Sequence, residues 1–353
     1  MITTIDLLVL LYIGVCLYRL TPYRPLFRSI RRDYLSADSG KSLRGILALG
    51  VVFHHLSQAN LGGGLLPLFS KIGYLLVSVF FFLSGYGLMK QHMAREDYRR
   101  RFLRKRLPAI LIPYLLATAL YWLGYAAMGA PWTLRYMIRE FCQGSPIVSA
   151  SWYVVCIFLF YLAFWGLMWL CGRRFARMLP GAALFLVGYV LVCRKLGFGS
   201  WWYNTAPVLL LGMAWALYQS KIDEFLEKHI AKAIPVALAA FLGIYGGKIL
   251  LNPYIPSPWA GLLLTWCVAA LFVCCVILAL TQVRVGNPLL NWVGECSLEL
   301  YLCHFLVIQL LRSSVVYLHN DLLYGICILL GSLALARGFH WIDRKLIGLC
   351  LPK

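Results

Sequence analysis

Long apolar stretches separated by short polar ones dominate the pattern of hydrophobic and polar positions along the chain. Each stretch is close to the ~20 apolar residues that an α-helix needs to cross the hydrocarbon core of a bilayer. The pattern therefore predicts an all-α polytopic membrane helix bundle with about eleven transmembrane helices. The predicted segments are 3–20, 43–59, 71–89, 107–127, 152–171, 179–193, 202–219, 233–250, 259–281, 296–312 and 321–339.

Composition excludes the soluble classes of protein. Of the 353 residues, 61% are hydrophobic and 13% are charged, whereas an average soluble domain carries about 25% charged residues. A soluble globular enzyme, a disordered chain and a fibrous chain are all inconsistent with these fractions. The 12 cysteines form no C-x-x-C pair, and most lie inside apolar segments. They are therefore expected to be packing residues, with neither a disulfide framework nor a metal site.

The net charge of +20 is explained by the positions of the basic residues. Seven Lys and Arg lie between Arg19 and Arg44 and eight between Lys90 and Arg106, whereas the loops that alternate with these are nearly free of them. Basic residues concentrate in cytoplasmic loops. We therefore expect a multi-pass protein of the cell membrane, with its N-terminus outside and its C-terminus in the cytoplasm. No nucleic-acid partner is needed to explain the charge.

The second segment carries ionisable residues at positions that are costly in a membrane. Arg44 and His55 are eleven residues apart, which is three helical turns plus about 20°, so they share one face about 16 Å apart along the axis. Histidine has a pKa near ~6.5 and exchanges a proton near neutrality. His55 is thus a candidate general base for a hydroxyl nucleophile, and the adjacent His54 faces about 100° away. The alternative is that the histidines are hydrogen-bonded packing residues.

Three further segments offer candidate chemistry, each with a structural alternative. Ser84 and Gly85 interrupt the apolar third segment, either for close helix packing or as a wall where backbone approaches a ligand. The basic stretch 99–106 is either a positive-inside anchor near anionic lipid or a cytoplasmic site for a polyphosphate such as coenzyme A. In the tenth segment Ser297, Tyr301 and His304 share a polar face of the helix. This face is either part of a site or a structural network within the bundle.

The outer loop 129–149 is long enough for a short surface helix. Its aromatic residues Trp132, Tyr136 and Phe141 would then lie at the membrane interface. An ordinary loop is the alternative.

Together these residues resemble the acyltransferase 3 family of integral membrane acyltransferases over nearly the whole chain, from about Lys41 to Ile347. Five stretches in the family's order carry the resemblance. They are Arg44-x-x-x-Ala48-x-x-x-Val52-x-x-His55, Phe81-Phe-Leu-Ser-Gly85, the basic stretch from Arg101 into Pro113-Tyr114, Trp152-Tyr-Val, and Gly294-x-x-Ser297-Leu-Glu-Leu-Tyr301-Leu-x-His304.

The resemblance implies an O-acyltransferase that moves a short acyl group, acetyl first, from cytoplasmic acyl-CoA to a hydroxyl of a sugar or glycan. Acyl-CoA would be the donor substrate, with no permanently bound cofactor and no metal. The partners would be the acceptor, membrane lipid and, where transfer is not direct, a separate extracytoplasmic enzyme. By resemblance His55 is catalytic with Arg44 as its functional partner. The remaining predicted site residues are Arg101, Arg104, Lys105 and Arg106 for the CoA, and His54, Ser84, Gly85, Trp152, Glu299, Tyr301 and His304 for the acceptor or acyl channel.

The chain departs from the family pattern in its number of membrane helices and in its late helix motif. The family usually has ten membrane helices, so residues 1–40 would add an N-terminal helix and a basic loop before a membrane domain at 41–347 and a tail at 348–353. Leu298 and Leu306 stand where many members have Tyr and Pro. The competing interpretation is a transporter or flippase for a glycan or lipid-linked sugar, with His and Arg as coupling groups, although the broken paired repeats of many transporters are not visible.

Overall fold

The computed structural model describes residues 3–59, 61, 63–251 and 257–350, and most of them are helical. An antiparallel pair of short strands, β1 (Leu20–Pro22) and β2 (Val283–Val285), joins two loops. The helices are α1 (Asp6–Leu17), α2 (Ala37–Ser57), α3 (Gly73–Ala94), α4 (Tyr98–Arg106), α5 (Pro108–Ala127), α6 (Leu134–Cys142), α7 (Trp152–Cys171), α8 (Phe175–Lys195), α9 (Val208–Leu251), α10 (Pro258–Gln282), α11 (Pro288–Glu295), α12 (Ser297–Leu310) and α13 (Asp321–Cys350).

The predicted all-α membrane bundle is confirmed. All eleven predicted segments fall on helices, with 202–219 and 233–250 both on α9. Within the described residues, seven helices are long and apolar enough to cross a membrane, α4 and α5 being counted together. The pair α11 and α12, bent by 79°, makes an eighth candidate. Helix α2 is long enough at 21 residues, but its charged and histidine side chains make it less apolar than the others.

Helix α9 covers two predicted membrane segments because it reverses direction. Near its start, a Cβ at Gly212 would collide with the Phe82 carbonyl of α3, so the two backbones touch there. Near its end, the Lys248 ammonium lies 5.0 Å from the centre of the Tyr74 ring. A straight helix would place Gly212 and Lys248 about 54 Å apart, whereas Phe82 and Tyr74 are only about 12 Å apart along α3. The two segments are therefore limbs of one continuous helix that turns back on itself.

The loops gather at two ends of the bundle. At one end, which we call the basic end, Tyr34 donates a 2.7 Å hydrogen bond to Asp223 and the Arg31 backbone N–H bonds to the Thr281 carbonyl. At the opposite end the Trp202 indole donates to the Gly144 carbonyl. Loops that alternate along the chain therefore lie at opposite ends of the bundle, as expected for helices that cross a membrane in alternating directions.

Close backbone contacts hold α2 in place between its neighbours. A Cβ at Gly45 would collide with the Leu290 carbonyl of α11, and one at Gly294 would collide with the Lys41 carbonyl of α2. These small residues allow α11 to lie directly on the first half of α2. Helix α2, which carries Arg44 and His55, is consequently fixed in the interior of the bundle.

Candidate functional site

A large cavity opens at the end of the bundle opposite the basic end. Its volume is about 1010 Å³, and His54 and His55 at the end of α2 are among its lining residues. Most of its other lining groups are aromatic or small, and its charged lining residues are Lys71, Glu140 and Lys248. The aromatic lining residues are Tyr74, Tyr125, Trp132, Tyr136, Trp152, Trp201, Tyr245, Tyr301 and Phe305. We call this the outer cavity.

Aromatic rings surround the His55 imidazole. Its ring centre lies 4.8 Å from that of His54 and 5.0 Å from that of His304, while Phe305 approaches at 5.3 Å with nearly perpendicular planes. His304 comes from α12 and is fully buried. The structure therefore brings together two regions that are about 250 residues apart in the sequence.

Hydrogen bonds connect the histidines to the end of α2. Nδ1 of His54 is 2.8 Å from the Phe69 carbonyl oxygen. The Gln58 amide lies between the two imidazoles, with its Nε2 3.2 Å from Nε2 of His54 and its Oε1 3.1 Å from Nδ1 of His55.

The His304 ring is held by its own helix. Its Nδ1 donates to the Leu300 carbonyl at 2.9 Å, one helical turn earlier. Its Nε2 is buried and has no hydrogen-bond partner among the described residues. Because the carbonyl accepts only, this second nitrogen of a neutral His304 carries a free lone pair.

A second cavity of about 460 Å³ extends toward the basic end, and we call it the inner cavity. Arg44 and Arg106 line it, together with Ser84, Gln91 and Tyr161, and no carboxylate is among its described lining residues. Arg106 donates to the Tyr98 hydroxyl at 3.3 Å. Arg44 forms neither an ion pair nor a side-chain hydrogen bond with any described residue. Two guanidinium groups without a carboxylate favour an anionic ligand in this cavity.

Val77 and Tyr301 line both cavities and form the wall between them. They are 4% and 5% exposed, so both side chains lie inside the bundle. The Tyr153 ring lies 5.6 Å from that of Tyr301, and the Tyr153 hydroxyl is 3.2 Å from the Ser84 hydroxyl. The two cavities therefore adjoin at Val77 and Tyr301, with the Tyr153 ring beside them.

Most of the predicted site residues lie at these two cavities. His54, His55 and Trp152 line the outer cavity, Arg44, Ser84 and Arg106 line the inner one, and Tyr301 lines both. His304 lies against His55. The surface helix expected within 129–149 exists as α6, and Trp132 and Tyr136 line the outer cavity.

Three predicted basic residues lie outside the inner cavity. Arg101, Arg104 and Lys105 are exposed, and Arg101 forms a 3.0 Å ion pair with Asp97. The physical reason is that α4 is a helix, whose successive residues point about 100° apart, so a basic run cannot face one ligand. Only Arg106 of this set lines the cavity.

Two predicted channel residues have structural contacts instead. At Gly85 a Cβ would collide with the Leu209 carbonyl of α9, so this glycine serves close helix packing, not a ligand wall. Glu299 is buried and lies 2.7 Å from Nδ1 of His340 on α13. Its position five residues before His304 places it on another face of α12.

Three residues of the site were not found from the sequence. Gln58 is an ordinary polar residue at a helix end, and Val77 is one apolar residue in an apolar helix. Nothing in the sequence therefore marks either of them as a site residue. Tyr153 follows the predicted Trp152, and only its hydroxyl in an apolar segment would have marked it.

The comparisons with known proteins agree with the resemblance in the sequence. The model of the acyltransferase 3 family, described as an acyltransferase domain, matches residues 41–341. No curated protein and no solved structure matches the chain. The matched region covers most of the chain and includes most of α2 and all of α3, α7 and α12, which supply Arg44, His55, Ser84, Trp152 and Tyr301 to the two cavities. This chain accordingly belongs to the acyltransferase 3 family and is an acyltransferase.

Proposed function

We propose that the protein transfers a short acyl group, acetyl first, from cytoplasmic acyl-CoA to a hydroxyl of a sugar or glycan acceptor. The observation that carries this proposal is the pair of cavities that adjoin at Val77 and Tyr301, one with two arginines in its lining and the other with two histidines. An acyl donor and an acceptor that arrive from opposite faces of a membrane need such an arrangement. The family assignment favours a transferase over the transporter interpretation.

The donor side of the proposal is the inner cavity. The positive-inside rule makes the basic end cytoplasmic, and this is the compartment that holds acyl-CoA. Arg44 and Arg106 would bind phosphate oxygens, for which a guanidinium group is well suited. The thioester, at the end of the long flexible arm of CoA, would then extend along α2 toward His55.

The acceptor side is the outer cavity. Its volume and its many aromatic rings suit a sugar, whose apolar face packs on aromatic side chains while its hydroxyls find polar partners. Its few charged lining groups favour a largely neutral acceptor over a highly charged one.

The proposed reaction balances without any further reactant. His55 takes the proton of the acceptor hydroxyl as the oxygen attacks the thioester carbonyl carbon. The carbon–sulfur bond then breaks, and the proton on His55 passes to the departing CoA sulfur. The products are the acyl ester and free CoA thiol.

The proposal of a short acyl group rests on the wall between the cavities. Val77 and Tyr301 line both cavities, so the acyl group must fit past their side chains where it crosses. Overfilling a packed site costs typically 1–3 kcal/mol, so longer chains should be disfavoured there.

The test is release of CoA thiol from acetyl-CoA by purified protein in detergent, first with water and then with a panel of sugars as acceptor. We expect His55→Gln to lower the rate by about 10²–10⁴, which is the contribution of a general base. His229→Gln is the matched control, since His229 is exposed at a distance from both cavities, and it should retain the wild-type rate. Equal rates for the wild type and His55→Gln would contradict the proposed role of His55.

A further inference from the structure

The Gln58 side chain occupies a position that the proposed mechanism does not yet use. Gln58 ends α2, and its backbone N–H bonds back to the carbonyls of His55 and Leu56. It follows His54 and His55 by four and three residues, a spacing that places side chains on the same face of a helix. Its amide therefore reaches both imidazoles at once.

We propose that Gln58 is a positioning residue that fixes the tautomer of His55. It would hold the imidazole proton on Nδ1 and leave the lone pair of Nε2 free to accept a proton from the acceptor hydroxyl. This inference rests on the proposed function, in which His55 is the general base.

The Phe69 carbonyl determines which nitrogen of His54 carries the proton. The Phe69 carbonyl oxygen accepts hydrogen bonds and cannot donate, so Nδ1 of His54, 2.8 Å away, must carry a proton. In a neutral imidazole one nitrogen donates and the other accepts. Nε2 of His54 is then an acceptor, and the group that faces it must donate.

The Gln58 amide links the protonation of His54 to that of His55. The donor that faces Nε2 of His54 is the Gln58 NH2 group at 3.2 Å, because a reversed amide would place two acceptors against each other. The Gln58 oxygen is then directed at Nδ1 of His55 at 3.1 Å. Since an amide oxygen only accepts, Nδ1 of His55 must carry the proton, and Nε2 is left unprotonated.

Among the described residues no other group competes for the His55 ring nitrogens. The nearest titratable neighbour on another helix is His304, whose Nδ1 is already used by the Leu300 carbonyl. The Nε2 of a neutral His304 has a lone pair and no proton to donate. Gln58 is thus the one described hydrogen-bond partner of the His55 ring.

The tautomer matters because a general base must present a lone pair to the proton that it takes. With the proton moved to Nε2, the nitrogen that attacks the hydroxyl proton would be blocked. We expect Gln58→Leu to lower kcat about tenfold or more, within the ~10²–10⁴ that a general base supplies. The KM for acetyl-CoA should stay within about twofold, since Gln58 does not line the inner cavity.

The activity test compares three variants in the CoA-thiol release assay. Gln58→Glu keeps an oxygen acceptor for Nδ1 of His55 and should retain kcat within about fivefold of wild type. Gln219→Leu is the matched control: it removes an amide that accepts from Tyr86 on another part of the bundle, and it should behave as wild type. Equal losses in Gln58→Glu and Gln58→Leu, or a wild-type kcat in Gln58→Leu, would overturn the proposal.

A spectroscopic test separates this proposal from the proposed function. In protein labelled with ¹⁵N-histidine, the ring resonances of His55, assigned by their loss in His55→Gln, report which nitrogen is protonated. We expect the proton on Nδ1 in wild type and a mixture of tautomers in Gln58→Leu. A proton on Nε2 in wild type would overturn the role of Gln58 even if acyl transfer is observed. Absence of any acyl transfer with the proton on Nδ1 would instead overturn only the proposed function.

Discussion

His304 lies against His55 but has a different hydrogen-bond environment. Both rings lie at the same point of the bundle, yet His55 is tied to a side chain and His304 to the backbone of its own helix. His304 is fully buried, and its free Nε2 has no described partner. A side chain in this position supports the His55 ring mainly by packing.

Substitution of His304 distinguishes packing from proton transfer. His304→Phe fills a similar volume and should keep the rate of CoA-thiol release within about fivefold of wild type, whereas His304→Ala leaves a cavity beside His55. We expect His304→Ala to lower both the rate and the unfolding temperature. If His304→Phe were as inactive as His55→Gln, His304 would take part directly in proton transfer.

At the scale of elements, α3 and α12 each supply one residue that lines both cavities. In the proposed reaction the acyl group therefore passes the side chains of Val77 from α3 and Tyr301 from α12 as it crosses from one cavity to the other. Tyr153 on α7 lies against Tyr301 and supports it from the inner side.

Shortening the side chain of Val77 should widen the range of acyl donors. We expect Val77→Ala to raise the rate with butyryl-CoA relative to acetyl-CoA by about tenfold, since a methylene in a hydrophobic pocket is worth about 1–3 kcal/mol. Val79→Ala, on the same helix but outside both cavity linings, is the control. An unchanged ratio of butyryl-CoA to acetyl-CoA rates in Val77→Ala would show that the wall does not select the acyl chain.

The turn at the basic end is held by a buried polar group. The Tyr34 hydroxyl donates to Asp223 at 2.7 Å and accepts from the Trp215 indole at 3.0 Å, which joins the loop before α2 to helix α9. Burial, together with the Asp223 carboxylate, raises the pKa of Tyr34, so the phenol stays protonated and keeps donating.

Removing this hydroxyl should destabilise the bundle without touching either cavity. Tyr34→Phe leaves the buried Asp223 carboxylate and the Trp215 N–H without their partner, and we expect a loss of about 1–3 kcal/mol in the free energy of unfolding. Thermal unfolding of the purified protein measures this change. Tyr218→Phe, at a tyrosine of α9 that is 43% exposed, should leave the unfolding temperature unchanged. Equal unfolding temperatures for Tyr34→Phe and Tyr218→Phe would contradict the role of Tyr34.

At the scale of the whole molecule, the fold followed from the sequence because the bilayer constrains it strongly. A chain of long apolar segments has almost no alternative to helices, and alternating basic loops imply how the helices are threaded. That α9 continues as a helix through its reversal was not predictable. Hydropathy shows two apolar segments, but it does not show whether the residues that join them keep helical hydrogen bonds.

The candidate site was only partly predictable. Arg44 and His55 stand out because charged and titratable side chains are costly in an apolar segment. By contrast, Gln58 and Val77 acquire their meaning only from neighbours on other parts of the chain, Phe69 and Tyr301. Arg101 is exposed because of the way α4 is oriented in the bundle. A run of basic residues in the sequence does not indicate which of them will face a cavity.

The proposed reaction requires that the inner cavity binds the acyl donor through Arg44. Thermal unfolding of purified protein with acetyl-CoA tests it most directly, because a ligand at 100 times its Kd adds about 2.7 kcal/mol of stability. We predict stabilisation of the wild type and of the exposed-arginine control Arg101→Ala, and none of Arg44→Ala. Equal stabilisation of Arg44→Ala and the wild type, or no stabilisation of the wild type by any acyl-CoA, would contradict the account.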